Sequence, residues 1–253
     1  MNLSALEVYN FPYKKRIGKD NDGGYVIITD TNILKKEPQD KESYQDHYDV
    51  LLSAGISDDI SFEIDFLKYF THTEQCFAFD GTITSLPQSQ ENGSVNSDKI
   101  QFIRKNIAHI NTDTTDNLQS YIADYKDIFL KMDIEGSEYQ FFAALSTTQM
   151  QSFKQIVVEF HFPTQSTEIW SILNKIKETH WLVHLHPNNN CGFNKYTVSN
   201  TINVDIPNVF ECTYIRKPFL SLSTESVPRV DIDMPNNPDK PEIVLTGYPY
   251  NTL

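Results

Sequence analysis

The chain has 253 residues, 39% of them hydrophobic, and a formal net charge of -13. That length buries one substantial core, so one α/β domain with additions is expected in preference to two small ones. The acidic balance excludes a protein held mainly on nucleic-acid phosphates, which recruit Lys and Arg. Cys76, Cys191 and Cys212 are sparse, odd in number and without C-x-x-C spacing, which reads as reduced thiols and not as a disulfide framework or a zinc site. No apolar run approaches the roughly 20 residues that span a bilayer, and "MNLSALEVYNFPYKKR" lacks the apolar centre of a signal peptide. The expectation is a cytoplasmic chain with a small-molecule partner, no nucleic acid, no membrane span and room for a homodimer.

In chain order, residues 1–47 come first, as an N-terminal hairpin or cap. "KKRIGKDNDGGYVIIT" sets Asp22-Gly23-Gly24 between apolar pairs, the pattern of a tight turn. Lys14, Lys15, Arg16 and Lys19 cluster there; they suit the diphosphate of a nucleotide-linked substrate, or form a solvated hairpin face. Residues 48–217 then carry seven apolar runs: Tyr48 to Gly55, Gln75 to Gly81, Lys99 to Ile107, Asp127 to Asp133, Lys154 to Phe162, His180 to Pro187 and Asn208 to Arg216. Such runs read as strands buried on both faces. Amphipathic stretches separate most of them. "ISFEIDFLKYF" spaces Phe62, Phe66, Leu67 and Phe70 as a helix does, and "EYQFFAALSTTQMQSF" and "STEIWSILNKIKETH" repeat the pattern, the latter with Ser166 or Thr167 as cap. This alternation predicts a mostly parallel sheet with helices on both faces. The last run follows a long polar loop with no helix, so it is expected to insert antiparallel. "TITSLPQSQENGSVNS" is a polar loop. Residues 218–253, rich in Pro, Asn and Asp, read as a surface-wrapping tail.

Ligands of an open parallel sheet bind beyond the carboxyl ends of its strands. The first strand ends in "SAGISDDISFE", where Gly55 permits a close turn and the helix near Ser61 offers free backbone N–H groups. The G-x-G-x-x-G of a dinucleotide site is absent, and Asp58 and Asp59 stand in its place. They repel a pyrophosphate but not S-adenosylmethionine, which carries a sulfonium and an ammonium group and no phosphate; equally, they fit an ordinary helix cap. The second strand ends in Asp80, placed to accept hydrogen bonds from ribose hydroxyls or to form an Asx-turn with Gly81. After the third run, Asn111, Thr112 and Asp113 are available to an adenine edge.

The fourth strand runs into "KMDIEGSEY", which puts Asp133 at its mouth and Glu135 and Glu138 in the following turn, with Gly136 to bend it. Period-2 alternation sets Glu159 and His161 on one face of the fifth strand. His186 and Asn188 end the sixth. His109 and His184 read as structural. A neutral His161 or the Asp133 carboxylate suits the role of general base for a hydroxyl. Alternatively, Asp133, Glu159 and a histidine could hold a divalent cation such as Mg or Mn, although no spacing is diagnostic of one.

"FLKMDIEGSEY", with "TTDNL" before it and "QIVVEFHF" after it, resembles the signature of FkbM-type methyltransferases. "RIGKDNDGGYVI", "LLSAGISDDISFE" and "NVFECTYIRK" are similar to a related methyltransferase-like branch. The resemblance covers roughly Arg16 to Lys217. It implies a Rossmann-like class I methyltransferase with a mostly parallel seven-stranded sheet, S-adenosylmethionine as donor, and O-methylation, often of sugars in glycans or capsules. By position it assigns Gly55, the acids after it and Asp80 to the cofactor, and Asp133, Glu135, Glu159 and His161 to the reaction centre. The expected assignment is therefore Gly55, Asp58, Ser61, Asp80, Thr112 and Asp113 on the cofactor; Asp133, Glu159 and His161 in catalysis; and Arg16, Glu135, His186 and Asn188 on a sugar acceptor, nucleotide-activated or a glycan precursor. N-methylation, methylation of a small acid, and a non-catalytic glycan- or partner-binding relative are the alternatives.

Overall fold

All seven apolar runs pair into one sheet. The computed structural model describes residues 3–31, 47–88, 97–162, 168–199, 202–217 and 231–250. The suggested helix cap at Ser166 or Thr167 lies outside these, as do residues 89–96 of the polar loop. A hairpin of β1 (Lys14–Gly18) and β2 (Gly24–Ile28) forms around the Asp22-Gly23-Gly24 turn. Next come β3 (Val50–Ala54), α1 (Ser61–Tyr69), β4 (Cys76–Phe79) and β5 (Ile100–Ile103). A small parallel pair, β6 (Asn106–Ile107) and β7 (Thr115–Asp116), precedes α2 (Gln119–Asp124) and β8 (Ile128–Met132). The chain continues through α3 (Glu138–Ala144), α4 (Thr147–Met150), β9 (Phe153–His161), α5 (Glu168–Thr179), β10 (His180–Pro187), the hairpin β11 (Phe193–Ser199) and β12 (Ile202–Pro207), and β13 (Val209–Arg216).

The strand order is β10-β13-β9-β8-β3-β4-β5. β3, β4, β5, β8 and β9 pair in parallel, and β13 runs antiparallel to both β9 and β10. This is a Rossmann-like, mostly parallel seven-stranded sheet, with the predicted late antiparallel strand wedged between two earlier ones.

Side-chain alternation builds a core on each face. Val50, Leu52, Leu130, Ile156 and Val158 face Phe141 and Phe142 of α3 and Trp170 and Leu173 of α5. Leu51, Phe129 and Val157 face Phe62, Phe66 and Leu67 of α1 together with Tyr25 and Ile27 of the hairpin. The hairpin thus shares one face with α1. By the same alternation Asp133, Glu159, His161 and Glu211 fall on that hairpin face.

Three features differ from expectation. The stretch read as one helix after Glu138 is broken at Leu145, because Ser146 and Gln149 form a reciprocal capping box that starts α4. The polar loop before the last strand is the β11–β12 hairpin. The tail does more than wrap the surface: Leu245 and Tyr250 join the main core, and Val8 N–H donates to the Tyr250 carbonyl. The cysteines are free thiols. Among the described residues no helix is long and apolar enough to cross a membrane.

Candidate active site

Gly55 ends β3 with φ +76°, and its N–H donates to the Phe79 carbonyl at 2.9 Å. An added Cβ would stand 1.6 Å from the Asp133 carbonyl oxygen, so the bend admits only glycine. Beneath it, the buried Lys131 ammonium donates to the Gly55 carbonyl and lies 5.5 Å from the Tyr25 ring centre. Asp80, 6% exposed, accepts from Ser57 N–H at 2.8 Å on one oxygen and from Thr82 N–H at 2.7 Å on the other. Burial acts to raise its pKa, but the hydrogen bonds from Thr82, Ser57 and Ile83 prevail and hold the carboxyl below its ordinary value. An anionic, oriented acceptor therefore stands at the mouth of β4. A cleft of about 470 Å³ opens here, lined by Gly55, Ser57, Phe79, Asp80, Asn106 and Ile107 and reaching Asp133 and Glu135.

At the far end of the cleft β8 and β9 deliver an acid–histidine group. His161 Nδ1 is 3.0 Å from Glu138 Oε1, whose oxygen also accepts from the N–H groups of Ile134 and Gly136. His161 Nε2 faces Glu135 at 3.4 Å and Asp133 and Glu159 each at 3.8 Å. Tyr25 donates to the second Asp133 oxygen at 2.9 Å, and Asn188 donates to Glu159 at 3.0 Å. Burial, then the charges of Asp133 and Glu211, push the Glu159 carboxyl well above its ordinary value. Burial disfavours charging His161, yet Glu138, Glu159 and Asp133 overcome it and raise the imidazole to about 9. The carboxylates around the ring thus favour its charged form over the neutral imidazole expected from the sequence. Glu135, with φ +57°, carries backbone strain directly beside the group, and Gly136 takes the following φ of +108° without it.

Residues 7–194 match the Methyltransferase FkbM domain. The chain belongs to this family. No curated protein matches the sequence. The FkbM chain is also similar to solved structures at low identity. Precorrin-6y C5,15-methyltransferase from Geobacter metallireducens is 9% identical with a TM-score of 0.31, over 66% of this chain and 80% of that one. A protein described as a candidate methyltransferase from Thermoplasma acidophilum is 7% identical with a TM-score of 0.32, over 68% and 70%.

The FkbM fold does not gather every residue assigned from the sequence. Gly55, Asp80, Asp133 and Glu135 line the crevice; His161 meets Asp133, Glu135 and Glu159 behind its wall, and Asn188 holds Glu159. Asp58 is exposed on the rim, lining a smaller pocket with Lys19 and Gly23. Ser61 begins α1, and its N–H and hydroxyl both donate to Asp59, which closes a local turn before the Ile60 N-cap; that position itself has no side-chain cap. Thr112 and Asp113 do not line the cleft; the Thr112 hydroxyl closes its own turn with Thr115 at 2.7 Å, and Asn106 and Ile107 occupy the wall instead. Arg16 donates to the carbonyls of Lys19 and Asn21, so its guanidinium is committed to its own hairpin turn. His186 lies between Glu211 at 3.3 Å and Glu242 at 3.2 Å, with both ring nitrogens engaged. Four residues with a part in the site escaped the sequence reading: Tyr25, Lys131, Glu211 and Asn236, the last donating to Glu211 at 2.9 Å. The alternation of "GGYVII" put Tyr25 on one hairpin face, but nothing local said that this face meets Asp133.

Proposed function

We propose that this FkbM domain transfers a methyl group from S-adenosylmethionine to a hydroxyl of a sugar or similar polyol. The observation that carries this reading is the continuity of one cleft from Asp80 to Asp133. Asp80 would accept from the ribose hydroxyls of S-adenosylmethionine, Phe79 and Ile107 would flank its adenine, and the carboxylates at the far end would attract its sulfonium. When bound, the donor would supply an electrophilic methyl group to the acceptor oxygen, the carbon–sulfur bond breaking with its electron pair left on sulfur as S-adenosylhomocysteine. The hydroxyl proton would pass to Asp133, whose Oδ1 has no hydrogen-bond partner among the described residues, while His161 faces that oxygen at 3.8 Å. Holding oxygen, carbon and sulfur in line accounts for up to about 7–11 kcal/mol of barrier lowering in favourable cases.

The engagement of Arg16 with its own turn favours the sugar hydroxyl itself over a diphosphate as the recognised feature. An amine acceptor is the second reading, because the carboxylates around His161 also suit an ammonium group. Calorimetry with S-adenosylhomocysteine tests the donor, with Asp80→Asn expected to weaken binding about tenfold or more. Mass-spectrometric detection of methyl transfer to free sugars, nucleotide-linked sugars and amines tests the acceptor. Absence of S-adenosylhomocysteine binding would falsify the reading, and product only from amines replaces it with the second.

A further inference from the structure

On its Nε2 side the His161 ring stands too far from Asp133 and Glu159 for hydrogen bonds, with Glu135 somewhat nearer at 3.4 Å. His161 Nε2 stands 3.8 Å from Asp133 Oδ1 and 3.8 Å from Glu159 Oε2, beyond the roughly 3.2 Å limit of a good N–H···O bond. Two donors that each sit about 2.1 Å from a shared ion lie about 3.0 Å apart at a right angle and about 4.2 Å apart when opposed. The three donor atoms all lie within 4.8 Å of one another. We propose that Asp133, Glu159 and His161 bind a divalent cation, with Glu138 orienting the imidazole from behind.

Burial and unmet hydrogen-bonding capacity support the site independently of the spacing. His161 is 7% exposed, Glu159 5% and Glu138 0%. Asp133 Oδ1 is enclosed yet has no hydrogen-bond partner among the described residues, and Glu138 Oε2 is likewise without one. The other oxygen of each is fixed, by Tyr25 on Asp133 and by the Ile134 and Gly136 N–H groups on Glu138. Glu159 is steadied by Asn188 on Oε1, which leaves Oε2 turned toward His161. A carboxylate on Nδ1 sets the ring so that Nε2 points at the two acids, the support that a metal-ligating histidine takes from its surroundings.

Two carboxylates and one imidazole form a mainly hard donor set, suited to a Mn²⁺- or Mg²⁺-class ion with open positions for water or paired hydroxyls. This inference deepens the methyl-transfer reading and rests on it for the cation's role: a bound ion acidifies an acceptor hydroxyl and orients a diol. A cation bound there would offset the like charges of Asp133 and Glu159 in place of a proton on His161 Nε2.

Manganese titrated into the full chain and followed by electron paramagnetic resonance tests the site, with S-adenosylhomocysteine calorimetry run on the same samples. The expected result is one bound Mn²⁺ per chain that shows coupling to an imidazole nitrogen. Glu159→Gln and His161→Gln should each weaken it at least about tenfold, and Glu138→Gln about 10–100-fold. Glu178→Gln, on the exposed side of α5, should leave it unchanged. The nitrogen coupling is read on the wild-type chain and so does not depend on any variant folding. Failure to bind Mn²⁺, Mg²⁺ or Zn²⁺, binding without nitrogen coupling, or equal binding by folded Glu159→Gln and His161→Gln overturns the proposal. Because donor binding is read separately, loss of the metal site leaves the methyl-transfer reading standing. Metal binding without S-adenosylhomocysteine binding sinks that reading and leaves the cation site.

Discussion

Gly55 joins the backbone of β3 to the mouth of β8, and its lack of a side chain is what lets the two approach. Gly55→Ala forces a Cβ against the Asp133 carbonyl and a positive φ on alanine. The expected cost is about 2–4 kcal/mol, measured by denaturant unfolding, with S-adenosylhomocysteine binding lost in whatever folds. Two histidines away from the crevice set opposite limbs of the pH profile. Burial lowers His180 to about 4, with Arg216 and Lys217 adding to the effect. Between its ordinary 6.5 and 4 the unfolded chain binds a proton that the native one refuses, so stability falls as pH falls through that window. His186 is the reverse. Burial opposes its charge, but Glu211 and Glu242 raise it to about 11. Its contribution is complete below 6.5 and is lost as pH climbs toward 11. Melting temperatures recorded across pH should show the acid limb flattened in His180→Gln and the alkaline limb flattened in His186→Gln; unchanged limbs in both variants sink the assignment.

Among the elements, those with a strong local period were the legible ones. The seven apolar runs announced their strands because a two-sided sheet needs continuous Val, Ile, Leu and Phe. The glycine pair announced the β1–β2 turn because few residues accept its backbone angles. What stayed hidden depends on contacts distant in sequence. The α3–α4 break hinges on Ser146 and Gln149, a signal masked by the apolar spacing that runs through it. Ser146→Ala should cost about 1 kcal/mol in thermal unfolding without altering donor binding, since α4 lies away from the cleft. At the site, Asp133, Glu135, Glu159 and His161 were readable because strand ends are where ligands go. Arg16 misled because a cationic side chain looks free until the carbonyls of its own turn are seen to claim it. Tyr25 and Glu211 were invisible because their partners lie 108 residues away at Asp133 and 25 residues away at His186.

Across the whole molecule, the C-terminal segment behaves as structure. Asp233 accepts from His184 at 2.8 Å, Glu242 meets His186, and Asn189 donates to the carbonyls of Asn237 and Lys240. Tyr250, 2% exposed, closes the core with its hydroxyl on the Asp205 carbonyl. Deleting residues 231–253 removes these together with the burial of Leu245 and Tyr250, each worth about 1.5–3 kcal/mol when fully buried. A drop of several degrees in melting temperature is expected, and a truncated chain as stable as the full one would refute the structural role. The antiparallel position of β13 has a further bearing on how this protein comes into being. A ribosome emits β9, then β10, and only afterwards the strand that must separate them. Until Val209–Arg216 emerges, the edge of β9 is a bare seam, and a premature zip between the two older neighbours would shut the last one out. The sheet is thus completed by an insertion and not an addition, and a nascent chain that lacks it has yet to set Glu211 opposite Glu159.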